Sequence, residues 1–386
     1  MGSRSGWLGA FVALAMACAS PAAAAVPVSL GYSPDQAIAS DQLTPDGFAK
    51  AIAAGGGTLA RVQVVWSDIQ PRERPIAAGA WAPLDQRISA LRRAGVRPVL
   101  LFLATPSWAR DVGGNLACGG VADFCLAPPA EGYVAAWADF VARTAARYPD
   151  AAALEIWNEP NAQFFWRTGP DPPRFTRLVC TSRAAVRLAG VTTPVVAGGL
   201  DGGDKLGVQS SDSFLSAAYD AGIGSCVDGV AVHPYPGSVA PGLPSSGFPF
   251  ELLRVRAVMH AHGDMVHRIW ITEIGAPTGD NGLSQAAQAA YLVAAYKLAQ
   301  GLDVQSFIVH TLIDPYLPSA SLGPYGVLES NGTPKLAYAA LRDAVAALKP
   351  ATKRRVRSPA RRRRLLPKGV YRGYKSSRSA SFPGLG

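Results

Sequence analysis

Two short segments of this 386-residue chain place a glutamate where chemistry is possible. One reads Ile156-Trp157-Asn158-Glu159-Pro160-Asn161. The other, 114 residues later, reads Trp270-Ile271-Thr272-Glu273-Ile274-Gly275. Each glutamate closes an apolar run with strand character. Two carboxylates facing each other across a cleft are the minimum equipment for breaking a glycosidic bond. One donates a proton to the leaving oxygen, and the other attacks or stabilises the anomeric carbon. At about 5–5.5 Å apart, such a pair retains configuration through a covalent intermediate. The donor needs a raised pKa, which partly apolar surroundings and a second carboxylate supply. Two unconnected surface carboxylates would do none of this, so the reading depends on the elements that hold them.

Those elements form a regular series. Short runs rich in Val, Ile and Leu occupy residues 28–32, 58–66, 97–103, 152–157, 194–197, 229–233, 268–272 and 305–311. Stretches with apolar residues at helical spacing follow each of them: 46–53, 84–94, 132–148, 173–188, 213–221, 250–262, 285–300 and 335–347. Alternation of this kind implies a parallel sheet. Eight units of about 40 residues predict a single α/β domain, a closed (β/α)8 barrel over residues 26–349. An open doubly wound sheet would want a glycine-rich phosphate turn after the first strand. The residues there are Gly31-Tyr32-Ser33-Pro34-Asp35, which lack it. In a barrel the site lies where strands end, and both glutamates stand at such ends.

The charge is unevenly spread. The formal net charge is +10, from 37 basic and 27 acidic residues. Residues 350–386 hold twelve Lys and Arg and no acid, so the barrel region is mildly acidic. That excludes reading the main domain as a nucleic-acid binder on charge, and no nucleic-acid partner is expected. The tail lacks apolar periodicity and is expected to be disordered, either solvated or holding the protein on an anionic cell-surface polymer. At the other end, Arg4, an apolar run over 7–17, Pro21 and the alanines before Val26 describe a signal peptide over residues 1–25. The chain is therefore expected to be secreted, either free or held at the cell surface, with no transmembrane segment once cleaved. Cys18 would suggest a lipoprotein, but a leucine is absent three residues before it. Four cysteines remain after cleavage. Cys118 and Cys125 close a short loop and are favoured as a pair, leaving Cys180 with Cys226, or else two free thiols.

The motif I-W-N-E-P-N resembles the acid/base segment of glycoside hydrolase clan A. Other positions follow the same pattern in order: Arg61 in R-V-Q-V-V-W, Thr105-Pro106-Ser107-Trp108, His233-Pro234-Tyr235, Trp270–Glu273, Tyr325–Leu328 and Pro334-Lys335. N-E-P-N followed by Phe164-Phe165-Trp166 is most similar to family 39 and its cellulase-like, family 5-like relatives. The resemblance spans residues 28–348. It implies a retaining glycosidase acting on a poly- or oligosaccharide without cofactor or metal, expected to act as a monomer. Glu159 would be the acid/base and Glu273 the nucleophile. Asn158 would bind the sugar 2-hydroxyl, and Tyr235 and Arg61 would orient Glu273, with His233 lining the same floor. Arg61 has a second reading, a structural ion pair with Glu155, since residues 155, 157 and 159 share a face at period two. Trp108 and Trp166 are candidate sugar-binding rings, or else ordinary packing. Many clan members carry a tryptophan on strand eight, where this chain has Ser306-Phe307-Ile308-Val309-His310-Thr311. His310 would take that place, or be a hydrogen-bonded barrel histidine.

Three other readings fit the residues less well. His260, His262 and His267 lie close in sequence but lack a zinc-binding frame. A carbohydrate-binding barrel without turnover would need the cleft and not the acid/base pair. A transglycosylase would use the same two glutamates with a sugar acceptor.

Overall fold

The computed structural model describes residues 27–33, 42–111, 126–202, 206–236, 248–280, 282–315 and 323–348. Eight strands pair side by side, all parallel, and β8 returns to β1 to close the barrel. They are β1 (Ser29–Tyr32), β2 (Leu59–Val65), β3 (Arg97–Leu103), β4 (Ala153–Asn158), β5 (Val195–Asp201), β6 (Gly229–His233), β7 (Arg268–Ile274) and β8 (Val304–Val309). After each comes a helix: α1 (Pro45–Ala54), α2 (Ala82–Arg93), α3 (Val134–Arg147), α4 (Pro172–Leu188), α5 (Ser211–Asp220), α6 (Phe250–Ala261), α7 (Gln285–Ala299) and α8 (Leu336–Leu348). This is the expected (β/α)8 architecture. Residues 1–25, residues 350–386, Cys118 and Cys125 lie outside the described residues. No helix among the described residues is long and apolar enough to cross a membrane.

Helix starts follow local chemistry. Thr44 accepts a hydrogen bond from the Gly47 amide ahead of Pro45, and Asp171 accepts one from Arg174 ahead of Pro172. A capping oxygen satisfies an orphan amide, and proline fits the first turn because its missing N–H is not needed there. The helices pack on the barrel through an aromatic layer in which Trp66, Trp137, Trp157 and Trp166 are fully buried.

Inside the barrel, side chains stack in layers, as closure with tilted strands demands. The floor is apolar: Leu59, Val99, Ala153, Val196, Ala231, Trp270 and Ile308 form one buried cluster. Two residues further along each strand, the period-two repeat brings Arg61, Glu155, His233 and Thr272 above that floor. The polar layer of the site is thus the barrel's own second layer.

Several strands depart from their expected extents, and β8 ends at Val309, two residues short. β2 stops at Val65 because Trp66 opens a helical turn, Trp66–Ile69. β7 runs on to Ile274. β5 continues past the expected end at 197 to Asp201, through Gly198-Gly199. Both glycines are required by close approach: a Cβ would stand 2.2 Å from the Trp157 carbonyl oxygen at 198, and 2.0 Å from His233 Nε2 at 199. The one disulfide among the described residues joins Cys180 on α4 to Cys226, just before β6. It is the second of the two expected pairs.

Candidate active site

Both glutamate-bearing strands break their alternation at the mouth. In β4, Trp157 and Glu159 take positive φ values of 70° and 42°. A left-handed backbone at a bulky residue costs about 1–3 kcal/mol, and the surroundings must hold it. Here the Glu159 amide donates to the Gly199 carbonyl at 3.0 Å, and Trp157 Nε1 donates to the Phe165 carbonyl at 2.8 Å. The expected common face for 155, 157 and 159 is therefore corrected. Trp157 packs against Trp137 of α3 and against Trp166, while Asn158 joins Glu155 on Arg61. In β7 the register with β8 shifts between Ile271 and Ile274, so Thr272 and Glu273 both reach interior partners.

Arg61 is the hub of the site. It is 1% exposed and uses its guanidinium in three directions. Nε and Nη2 donate to the two oxygens of Glu155 at 2.7 and 3.1 Å, and Nη2 also donates to Asn158 Oδ1 at 2.7 Å. Nη1 donates to Glu273 Oε1 at 2.5 Å. The two readings of Arg61 thus describe one residue: the pair with Glu155 fixes the fork that reaches Glu273. Tyr235 donates its hydroxyl to Glu273 Oε2 at 2.6 Å. Burial pushes the Glu273 carboxyl up, but His233, Arg61 and the Tyr235 donor outweigh it. They hold the group well below the usual carboxylate range.

Glu159 has the opposite environment. Burial raises its pKa most, His233 opposes, and the Glu273 and Asp201 carboxylates add to the rise. His233 Nδ1 stands 2.8 Å from Glu159 Oε1, and its Nε2 stands 3.1 Å from Thr272 Oγ1. Thr272 has one proton, which it donates to Glu155 Oε1 at 2.8 Å. Its oxygen must then accept from His233 Nε2–H, which leaves Nδ1 facing Glu159. Burial lowers the His233 pKa, and the carboxylates of Glu273 and Glu159 more than restore it. A proton is therefore held on the Glu159–His233 axis.

Glu155 anchors both arms of this circuit and marks a role that residue type alone did not reveal. For Glu155→Gln we expect kcat/KM to fall about 10- to 100-fold, because Arg61 and Thr272 both lose a charged acceptor. The alkaline limb of the pH profile should also move to lower pH. Once freed, His233 can carry its proton on Nδ1 and stabilise the Glu159 carboxylate. An unmoved alkaline limb would argue for a packing role alone.

His310 follows β8 directly, with Nδ1 3.7 Å from Glu273 Oε2, edge-on to Tyr235 and Tyr325. Burial lowers its pKa, which keeps the ring neutral. Trp108 is half-buried, donates Nε1 to the Gln70 carbonyl at 3.0 Å and packs edge-on against Trp66 and Tyr133. Trp166 is corrected as a sugar-binding ring. It is fully buried between Trp157 and Phe175, so neither face is open to a ligand. Pro334-Lys335 pins the segment after β8 through a 2.6 Å ion pair from Lys335 Nζ to Asp314 Oδ2.

Asp201 and Glu251 are buried acids that the sequence reading passed over. Asn161 clamps the end of β5, donating to the Asp201 carbonyl and accepting from its amide. Glu251, on the first turn of α6, is pushed up to about 8 by burial and by Asp201. Its folded pKa lies above the unfolded value of about 4.3, so the native state binds this proton more tightly. Stability should therefore fall as pH rises from about 4.5 through about 8. The loss is on the order of 5 kcal/mol. Glu251→Gln should flatten that fall, read as Tm at pH 5 and pH 9. Parallel Tm curves for variant and wild type would refute the assignment.

One oxygen of Glu159, one of Glu273 and a ring nitrogen of His233 lie within 4.8 Å of one another. Such a triad has the donor set for a cation, but the Arg61 guanidinium on Glu273 already supplies the positive charge there. Fold and site together define a (β/α)8 barrel with a buried two-carboxylate cleft at its mouth. No protein-family model matches the chain, and no curated protein matches its sequence. Among solved structures it is similar to a family 39 glycoside hydrolase from Bacteroides cellulosilyticus WH2, with TM-score 0.65 and 18% identity over 84% of this chain. It is similar also to a monomeric β-xylosidase from Caulobacter crescentus CB15, with TM-score 0.62 and 21% identity over 82% of this chain and 67% of that one. A third is an exo-β-1,4-mannosidase from Opitutaceae bacterium strain TAV5, with TM-score 0.60 and 18% identity over 83% of this chain and 59% of that one. The chain spans 64% of the length of the first. Identities this low establish the shared barrel fold.

Proposed function

We propose that this chain is a retaining glycosidase, with Glu273 as nucleophile and Glu159 as acid/base. The observation that carries the reading is the pairing of two mouth carboxylates, within 4.8 Å, whose surroundings push their pKa values apart. That separation is what acid and nucleophile roles require. A gap this small suits direct attack better than an interposed water, which needs about 6.5–9.5 Å.

In the first step Glu273 attacks the anomeric carbon while Glu159 gives its proton to the leaving oxygen. In the second, Glu159 takes a proton from water, and the resulting hydroxide displaces Glu273 from the sugar. Arg61 and Tyr235 keep the nucleophile ionised and aimed. Arg61 occupies Asn158 Oδ1, so Asn158 Nδ2 remains as donor to the sugar 2-hydroxyl. We propose further that residues 1–25 direct export, and that the basic tail holds the enzyme on an anionic surface polymer.

The test is reducing-sugar release by the full chain across β-glucans, xylans, galactans, mannans and bacterial exopolysaccharides, with Glu273→Ala beside it. Release by wild type alone supports the reading and names the substrate class. Binding to glycans without release from any of them would overturn it in favour of a carbohydrate-binding barrel.

A further inference from the structure

The loop that leaves Glu159 carries a feature the chemistry above does not use. After Glu159 the chain makes two tight turns: Ala162 N donates to the Glu159 carbonyl, and Phe165 N and Trp166 N both donate to the Ala162 carbonyl. The loop is tied to the segment before α5 by a bridge from Ala162 to Val208 and by Gln163 N on the Gly207 carbonyl at 2.9 Å. Between the two segments lies an open groove of about 310 Å³, lined by Gln163, Phe164, Arg167, Leu206 and Gly207.

Phe164 is 62% exposed there, an unusual setting for a large ring. Its position is nevertheless fixed. Phe165 packs edge-on against it at 4.9 Å, and the Arg167 guanidinium stands 5.5 Å over its ring. Among the described residues Arg167 has no ion-pair partner. The groove therefore offers an apolar ring face beside amide and guanidinium donors, on a loop braced at both ends. A sugar ring wants that combination, since its C–H face packs on aromatic surface and its hydroxyls need polar partners.

Direction follows from the acid. Glu159 protonates the leaving oxygen, so the departing part of the substrate must lie beside Glu159. The five residues from Glu159 to Phe164 span at most about 17 Å of extended chain, and the turns bring Phe164 closer than that. We propose that this groove is a subsite for the leaving-group side of the carbohydrate chain. Phe164 stacks on a sugar beyond the scissile bond, and Gln163 and Arg167 donate to its hydroxyls. The proposal rests on the assignment of Glu159 as acid/base. It makes the enzyme one that gains from substrate extending past the cleaved bond.

The experiment compares kcat/KM on cello-, xylo- and manno-oligosaccharides, graded by length on the reducing side, with kcat/KM on the 4-nitrophenyl glycoside of the same sugar. For the wild type the ratio should rise with chain length. Phe164→Ala should cut it about tenfold, the equivalent of one lost stacking contact. Arg167→Met should cut it less, and Phe164→Trp should restore it. Phe164 is exposed, so its removal leaves the fold intact. A ratio that ignores length, or that is unchanged in Phe164→Ala, would overturn the subsite while leaving the two-glutamate assignment standing. No turnover of any oligosaccharide or aryl glycoside by the wild type would overturn the glycosidase reading, and the subsite with it.

Discussion

Replacing Glu273 with alanine is expected to stop hydrolysis, with kcat falling on the order of 10⁴-fold or more, as loss of a nucleophile does elsewhere. The residue contributes no covalent tie to the fold, and its side chain is only 12% exposed, so its removal leaves a small space at the anomeric centre. Azide can enter that space. With an aryl glycoside, whose leaving group needs little protonation, turnover should return as the glycosyl azide of inverted configuration. Arg61 Nη1 and the Tyr235 hydroxyl, which donate to Glu273 in the wild type, still face the gap and can bind the anion. A variant that keeps hydrolysing, or a rescued product of retained configuration, would remove Glu273 from the nucleophile role.

The second large effect concerns Glu159→Ala. General acid catalysis contributes about 10²–10⁴-fold, and that should be lost on natural glycans, whose leaving groups need the proton. Aryl glycosides should lose much less in the first step. Azide should again accelerate turnover, this time by intercepting the glycosyl-enzyme, and the product should keep its configuration. The two variants are thus told apart by stereochemistry. The pH profile gives an independent check. Glu159 must be protonated, and its raised pKa puts the alkaline limb at higher pH than an ordinary carboxylate would. Glu273 must be ionised, and its depressed pKa sets the acid limb far below neutral. Glu159→Ala should erase the alkaline limb and leave the acid limb in place. Equal losses on glycans and aryl glycosides would contradict the acid role.

Much of this geometry could be read from residue order, for physical reasons. Strands in a closed parallel barrel are buried on both faces, so they appear as short apolar runs, and eight such runs gave the fold. The glutamates stood out because a carboxylate at the end of such a run has few structural reasons to be there. The two-residue repeat was less dependable. It placed Trp157 on the face of Glu155, whereas positive φ values at 157 and 159 turn the tryptophan outward and both Asn158 and Glu159 inward. Glycine usually weakens strands, but Gly198-Gly199 lies inside β5, where it makes room for Trp157 and His233. Thr272, which sets the orientation of His233, carries no mark in its type. Nor does aromatic type reveal exposure: Trp166 is sealed in the outer layer, while Phe164, two residues earlier, stands open to solvent. Only the turns between them make that difference.

The Cys180–Cys226 bond has a consequence for how this molecule would fail. It links α4 to the residue stretch entering β6, and Arg183 and Arg187 pair with Asp228 in the same neighbourhood. All of this lies toward the end of the barrel where strands begin, away from the mouth. A bridge across 46 residues removes about 4 kcal/mol of chain freedom from the unfolded state in the loop-entropy description. Reduction should therefore cost heat tolerance while leaving the catalytic geometry as it was: a reduced chain would work cold and fail warm. Durability is written at one end of the barrel and reactivity at the other, so either can be re-engineered without renegotiating its counterpart.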